Sequence, residues 1–142
     1  MLNEDNSFHV VIEADGGSRG NPGPAGYGAV VLTKDGSETL AEVNDSIGRA
    51  TNNVAEYNGL IAGLTAARKM GATHAVVRMD SKLVVEQMSG RWKVKHPDMI
   101  PLHQKASEAA RWFDQVTYTW IPREKNTHAD LLANKAMDAA RL

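Results

Sequence analysis

Four acids stand where the hydropathy pattern changes: Asp15, Glu56, Asp80 and Asp130. Asp15 closes the β-branched run at residues 8–14 (FHVVIEA), and Asp80 closes the one at residues 75–79 (AVVRM). Glu56 falls in the first turn of an alanine-rich helical stretch, and Asp130 in the first turn of the last one. Carboxylates gathered in one place repel and raise one another's pKa values, so such a set makes sense chiefly with hard divalent cations. Oxygen-only ligands favour magnesium or manganese over zinc. Two such ions, typically about 4 Å apart, activate a water and stabilise the leaving oxygen of an in-line phosphoryl displacement. The chemistry this points to is phosphodiester hydrolysis.

Each acid also has a structural reading. Asp15 precedes two glycines and suits a turn, and Asp80 suits the N-cap of the helix that follows it. Residues 53–56 (NVAE) and 127–130 (THAD) both have the spacing of a capping box, in which the acid reaches back to a free backbone N–H.

The elements that must position these acids follow from the patterning. Residues 8–14 form a strand that runs into a tight turn at Asp15-Gly16-Gly17. Six of the twelve glycines lie between positions 16 and 28, and this cluster opens into a strand at 29–33 (AVVLT). A hairpin signal at 34–37 (KDGS) leads to a half-polar strand at about 38–47, completing an antiparallel meander. From Asn53, apolar residues recur at helical spacing until Gly71, where a helix stop belongs. Then come a strand at 75–79, a helix at 81–88, an irregular basic loop at 89–97 and a helix at 99–112. A strand at 115–121 and a helix at 127–140 finish the chain. The order β-β-β-α-β-α-α-β-α predicts an α/β fold with a five-stranded mixed sheet, three antiparallel strands then two parallel, flanked by helices. If the first and fourth strands are parallel neighbours, Asp15 and Asp80 project at the same carboxyl edge, where open α/β sheets hold their ligands.

The chain has 142 residues, no Cys and a formal net charge of −1. Zero cysteine excludes disulfide scaffolds, thiolate metal sites and cysteine nucleophiles. The charge excludes a protein that is basic all over and coats nucleic acid by charge alone, although residues 82–95 are locally positive (Lys82, Arg91, Lys93, Lys95 against Glu86). No apolar run approaches the roughly 18 residues that a membrane helix needs. The expectation is one domain over residues 1–142, with 1–7 a frayed, disordered tail, in the cytoplasm.

Residues 15–28 (DGGSRGNPGPAGYG), 49–56 (RATNNVAE), 79–81 (MDS) and 126–134 (NTHADLLAN) together resemble type 1 ribonuclease H, the metal-dependent endonucleases that cut the RNA strand of an RNA/DNA hybrid. The texture is most similar to the actinobacterial branch, in which this domain often forms the front half of a longer protein with an acid-phosphatase-like domain. The resemblance implies a ribonuclease H-like fold and Asp15, Glu56, Asp80 and Asp130 as ligands of two Mg²⁺ ions, with Mn²⁺ possible and Asp15 bridging both. It places Asn21, Asn52 and Asn53 at the minor groove of the hybrid, and the backbone of Gly16, Gly17 and Ser18 at RNA 2′-hydroxyls, the groups that tell RNA from DNA. Turn and cap chemistry is the other reading of the asparagines. Arg49 and Thr51 match a pocket for a phosphate of the DNA strand. The implied partner is a hybrid duplex, met by a monomer with no membrane and no small-molecule cofactor.

Two features depart from the family pattern. Many members carry a catalytic His in a mobile loop before the last helix, but residues 120–126 (WIPREKN) are shorter and lack it, and His128 lies inside the helix start. Arg123 or Lys125 is the candidate substitute, as a mobile cation near the scissile phosphate, with a solvated loop charge as the alternative. The long basic protrusion of some relatives is replaced by residues 91–96 (RWKVKH), where Trp92 either stacks on the DNA strand or packs under the loop. Tyr118 and Trp120 are expected in the core, and His9, His74 and His103 show no ligand spacing. Two rivals stand beside the nuclease reading. One is a hybrid-binding module with weak or lost turnover; the other is a 3′–5′ exonuclease of the same broad fold, whose first-strand Asp-x-Glu appears here in reversed order as Glu13-Ala14-Asp15.

Overall fold

The computed structural model describes residues 6–139. Of the expected tail, Asn6 and Ser7 are exposed and residues 1–5 lie outside the described residues, as does the last residue of the helix expected at 127–140. The strands are β1 (His9–Ser18), β2 (Gly23–Thr33), β3 (Thr39–Ala50), β4 (His74–Met79) and β5 (Gln115–Trp120). The helices are α1 (Asn52–Lys69), α2 (Lys82–Met88), α3 (Ile100–Ala110) and α4 (Thr127–Ala139). The sheet order is β3-β2-β1-β4-β5. β1, β2 and β3 pair antiparallel, whereas β1 with β4 and β4 with β5 pair parallel, as the element order predicts.

Period-two alternation along β1 divides its side chains between two layers. Val10, Ile12 and Ala14 are buried in the main core with Tyr57, Leu60 and Leu64 of α1 and Val77 and Met79 of β4. The opposite face of β2 receives α4. A Cβ on Gly26 would meet Ala136 Cβ at 2.6 Å, and one on Gly28 would meet Leu132 Cβ at 2.5 Å. Ser46 and Asn44 of β3 complete that seam by donating to the carbonyls of Ala136 and Leu132.

The glycine cluster corrects the turn expected at Asp15-Gly16-Gly17. β1 runs straight through these residues, and β2 starts at Gly23. The small residues serve close approach of helices to strands, which local patterning does not reveal. Gly71, with φ of +89°, does end α1 as expected: its N–H donates to Arg68 and that of Ala72 to Ala67. Trp120 is a second correction. β5 is an edge strand, and at its end the Trp120 ring is 50% exposed instead of entering the core; Tyr118 is half-buried against it. No helix among the described residues is long and apolar enough to cross a membrane.

Candidate active site

The last β1–β4 pair is Glu13 with Arg78, after which β4 stops and β1 runs on, paired with β2 alone, to Ser18. Asp15 therefore sits within a strand, 8% exposed, beside the point where β4 ends and Asp80 follows. α1 lies across this point and supplies Glu56. Asp15, Glu56 and Asp80 each offer an oxygen within 4.8 Å of the others, a spacing that can hold a metal ion. Asp130 lines the same cleft of about 270 Å³ and adds to the upward shift of the Asp15 carboxyl.

The capping roles read from sequence are filled by other residues. The Thr51 hydroxyl caps α1 by accepting from Val54 N at 3.3 Å, so Glu56 lies beyond the first turn and forms no capping box. Ser81, not Asp80, caps α2, accepting from Val84 N at 3.2 Å. Asp130 is in the first turn of α4, yet its carboxylate accepts from Asn134 Nδ2 at 3.2 Å and stands 4.0 Å from Arg123 Nη2. Hydroxyls satisfy the free N–H groups, which leaves the carboxylates facing one another.

That arrangement is electrostatically costly without a cation. Burial, then the negative charges of Asp80 and Asp130, push the Asp15 carboxyl up to about 8. Burial pushes Glu56 up to about 7, with Asp80 adding to it and a Ser81 hydrogen bond opposing. Asp80 is raised by burial, partly offset by a hydrogen bond from Asn126. An all-oxygen, mutually repelling set suits a hard divalent cation, which would restore the ionised forms.

The other residues singled out in the sequence divide by place. Gly16, Gly17, Ser18, Asn52 and Arg123 line the acid cleft. Asn52 Oδ1 accepts from Ser18 N at 2.8 Å, and Asn21 Oδ1 accepts from Asn52 N at 2.9 Å, so Asn21, Asn52 and Ser18 form one bonded chain along the rim. Asn53 and Arg49 are exposed next to it, and Thr51 carries the cap just described. Trp92 is not gathered with the acids; it stands 44% exposed over a separate groove that Met88, Val94, Ile100 and His103 also line. Lys125 is exposed and does not line the cleft, and residues 123–125 form a 3-10 turn in place of an irregular loop.

Sequence reasoning missed Asn126, Ser81, Asn134 and Trp120, which hold the acids from behind. Trp120 Nε1 donates to the Asp80 carbonyl at 3.2 Å, and Ile121 N to that of Met79 at 2.9 Å. Only the Asn spacing in residues 126–134 hinted at any of this, and it is equally a cap signature.

A five-stranded mixed sheet in this order, with a carboxylate cluster where β1 passes the end of β4, defines the ribonuclease H-like class. The family model described as "Reverse transcriptase-like" matches residues 13–136. The chain is 48% identical over 140 residues to ribonuclease HI of Halobacterium salinarum, covering 99% of this chain and 70% of that one, and it belongs to the ribonuclease HI family. It is also 70% identical over 131 residues to the bifunctional protein Rv2228c of Mycobacterium tuberculosis; the match covers 92% of this chain but 36% of that protein. The structure of the N-terminal RNase H domain of Rv2228c superposes with a TM-score of 0.94 at 69% identity, covering 95% of this chain and 97% of that one. LC11-RNase H1, solved in complex with an RNA/DNA hybrid, gives a TM-score of 0.88 at 41% identity, covering 94% of this chain and 99% of that one.

Proposed function

We propose that this chain is an endoribonuclease that hydrolyses the RNA strand of RNA/DNA hybrids with two Mg²⁺ ions, Mn²⁺ substituting, held by Asp15, Glu56, Asp80 and Asp130. The observation that carries the reading is the convergence of Asp15, Glu56 and Asp80, with ligand oxygens within 4.8 Å, in a chain similar to a ribonuclease H1 caught on a hybrid. When bound, the ions supply an activated water and charge neutralisation at the leaving oxygen. Asp15, flanked by Asp80 and Asp130, is the acid best placed to serve both ions. Beyond Glu13 the β4-side edge of β1 has no strand partner, and the Gly16–Ser18 backbone meets the cleft with little side chain in the way. Such an edge suits close approach by ribose 2′-hydroxyls. Asn21, Asn52 and Asn53 then face the minor groove, while Arg49 and the donor side of the Thr51 hydroxyl hold a phosphate of the DNA strand. Trp92 provides an exposed ring farther along the duplex. Arg123, on the cleft wall, offers its guanidinium to the scissile phosphate or the product.

The test is cleavage of a labelled hybrid with Mg²⁺, beside duplex RNA and duplex DNA. The expected result is internal cleavage of the RNA strand of the hybrid alone, lost in Asp15→Asn while circular dichroism stays unchanged. Binding without cleavage would favour the hybrid-binding module, stepwise shortening from a 3′ end the exonuclease. Full activity in Asp15→Asn would overturn the site.

A further inference from the structure

Asn126 is fully buried, and its side-chain nitrogen and main-chain polar atoms are hydrogen-bonded beside the acid cluster. Its Nδ2 donates to the Ala14 carbonyl at 2.9 Å, one residue beyond the last β1–β4 pair and one before Asp15. The same amide favours the ionised form of the Asp80 carboxyl, against the effect of burial. Its backbone carbonyl accepts from Asp130 N at 3.1 Å, and its N–H donates to the Arg123 carbonyl at 3.0 Å. One residue thus ties the β1 segment bearing Asp15 to the helix start bearing Asp130. Its Oδ1, in contrast, is buried with no hydrogen-bond partner among the described residues.

That orphaned oxygen is informative. An Asn in this position, with its carbonyl accepting from Asp130 N, would ordinarily use Oδ1 to cap the helix. Here the amide is turned so that Nδ2 faces the Ala14 carbonyl and favours the ionised Asp80 carboxyl. Flipping it would set oxygen against oxygen, so the orientation is dictated from the acid side. A buried polar atom left unpaired is costly and calls for an explanation. Helix capping does not supply one; the geometry of the carboxylates does. Where β4 ends, the ladder that would hold β1 at a set distance is missing, and the Asn126 amide stands in for its next rung.

We propose that Asn126 is a positioning residue of the metal site: its side-chain amide holds Ala14 while its main chain holds the start of α4, and so it sets the separation of Asp15 from the other acids on which divalent-ion affinity depends. It touches neither substrate nor the reacting atoms, and the inference rests on the metal-nuclease reading above.

Asn126→Leu is the informative variant, because leucine has the same number and branching of side-chain heavy atoms, suits a fully buried position and removes the unpaired oxygen together with both donors. A purely architectural Asn would lower stability when replaced but leave Mn²⁺ affinity and kcat near those of the parent. Three quantities are compared with the parent chain: thermal unfolding without metal, Mn²⁺ affinity without nucleic acid by electron paramagnetic resonance, and steady-state kinetics on a hybrid. The expected result is a folded chain with an unfolding midpoint no more than a few degrees below that of the parent, because the Ala14 carbonyl loses its donor, with Mn²⁺ affinity weaker by about tenfold or more, and kcat lower by about tenfold or more with KM within about twofold. A folded Asn126→Leu whose Mn²⁺ affinity and kcat stay within about twofold overturns the proposal. If Asn126→Leu does not fold, Asn126→Ser and Asn126→Ala are measured in the same way; failure of all three to fold assigns the residue to stability and also overturns it. A parent chain that neither binds Mn²⁺ nor cleaves a hybrid would instead remove the metal-nuclease reading itself, so the two failures are separable.

Discussion

A Cβ on Gly16 would stand 2.3 Å from the backbone carbonyl carbon of Ala55, so α1 rests directly on β1 at the residue after Asp15. That contact brings Glu56, the next residue of α1, beside Asp15. Farther along the same interface, Gly59 meets the Asp15 carbonyl and Gly63 meets Ile12. α1 is held against the strand by absent side chains, and the acid cluster depends on how close it lies.

Gly16→Ala must push α1 away from β1. Overpacking of this kind costs about 1–3 kcal/mol, read by denaturant unfolding. A displacement near 1 Å at a reacting centre lowers turnover about a hundredfold, so kcat should fall far more than stability does. Retention of full kcat would show that Glu56 tolerates the shift.

The raised carboxyls make metal-free stability depend on pH. Asp15 is pushed up to about 8 and Glu56 to about 7, against ordinary values of 3.8 and 4.5. Between the ordinary and raised values the folded chain binds protons that the unfolded chain has released, so stability falls as pH rises from about 4 to about 8. The metal-free unfolding midpoint should therefore drop across that window by several degrees, roughly 3 °C or more. Asp15→Asn should flatten the drop, because its amide has no proton to lose. Saturating Mg²⁺ should flatten it too, by binding the ionised form of the folded state. Calorimetric scans at pH 5 and pH 8, with and without Mg²⁺, check all three outcomes.

Arg123 and Lys125 share a short turn but differ in what they face. Arg123 lines the cleft, 4.0 Å from Asp130, whereas Lys125 is exposed and does not line it. Arg123→Ala should lower kcat about tenfold with little change in KM, and Lys125→Ala should stay within about twofold. Equal, small effects in single-turnover assays would leave the turn as a solvated connection.

Trp92 is exposed enough that its truncation should cost less than about 1 kcal/mol. Stacking of a base or sugar on an aromatic ring is worth about 1–3 kcal/mol, so Trp92→Ala should raise KM for the hybrid about tenfold. Lost stability with unchanged KM would assign the ring to packing under its loop.

Much of the fold was legible because its signals are local. The β-branched run before Asp15, the Lys34–Ser37 hairpin signal, the apolar spacing after Asn53 and the stop at Gly71 each report on a few neighbouring residues. Strand pairing then follows from connection type. What misled were patterns with two possible meanings. Gly16, Gly26 and Gly28 lie in a stretch of turn composition, yet they are strand residues kept small by α1 and α4. Residues 53–56 have capping-box spacing, but the N-cap lies two residues earlier, at Thr51. Trp120 belongs to a strand whose edge position no local pattern records.

By itself the sequence determined the element types, their order and the four acids at element boundaries, since each depends on periodicity and residue chemistry over short spans. Only the tertiary structure decided that Thr51 and Ser81 take the caps and release Glu56 and Asp80 toward Asp15. Only it could show that Asn126, 112 positions away in the chain, bonds the carbonyl next to Asp15. The reason is physical: a carboxylate's role is set by which donors and charges surround it, and those arrive from strands and helices that the chain brings together only when it folds.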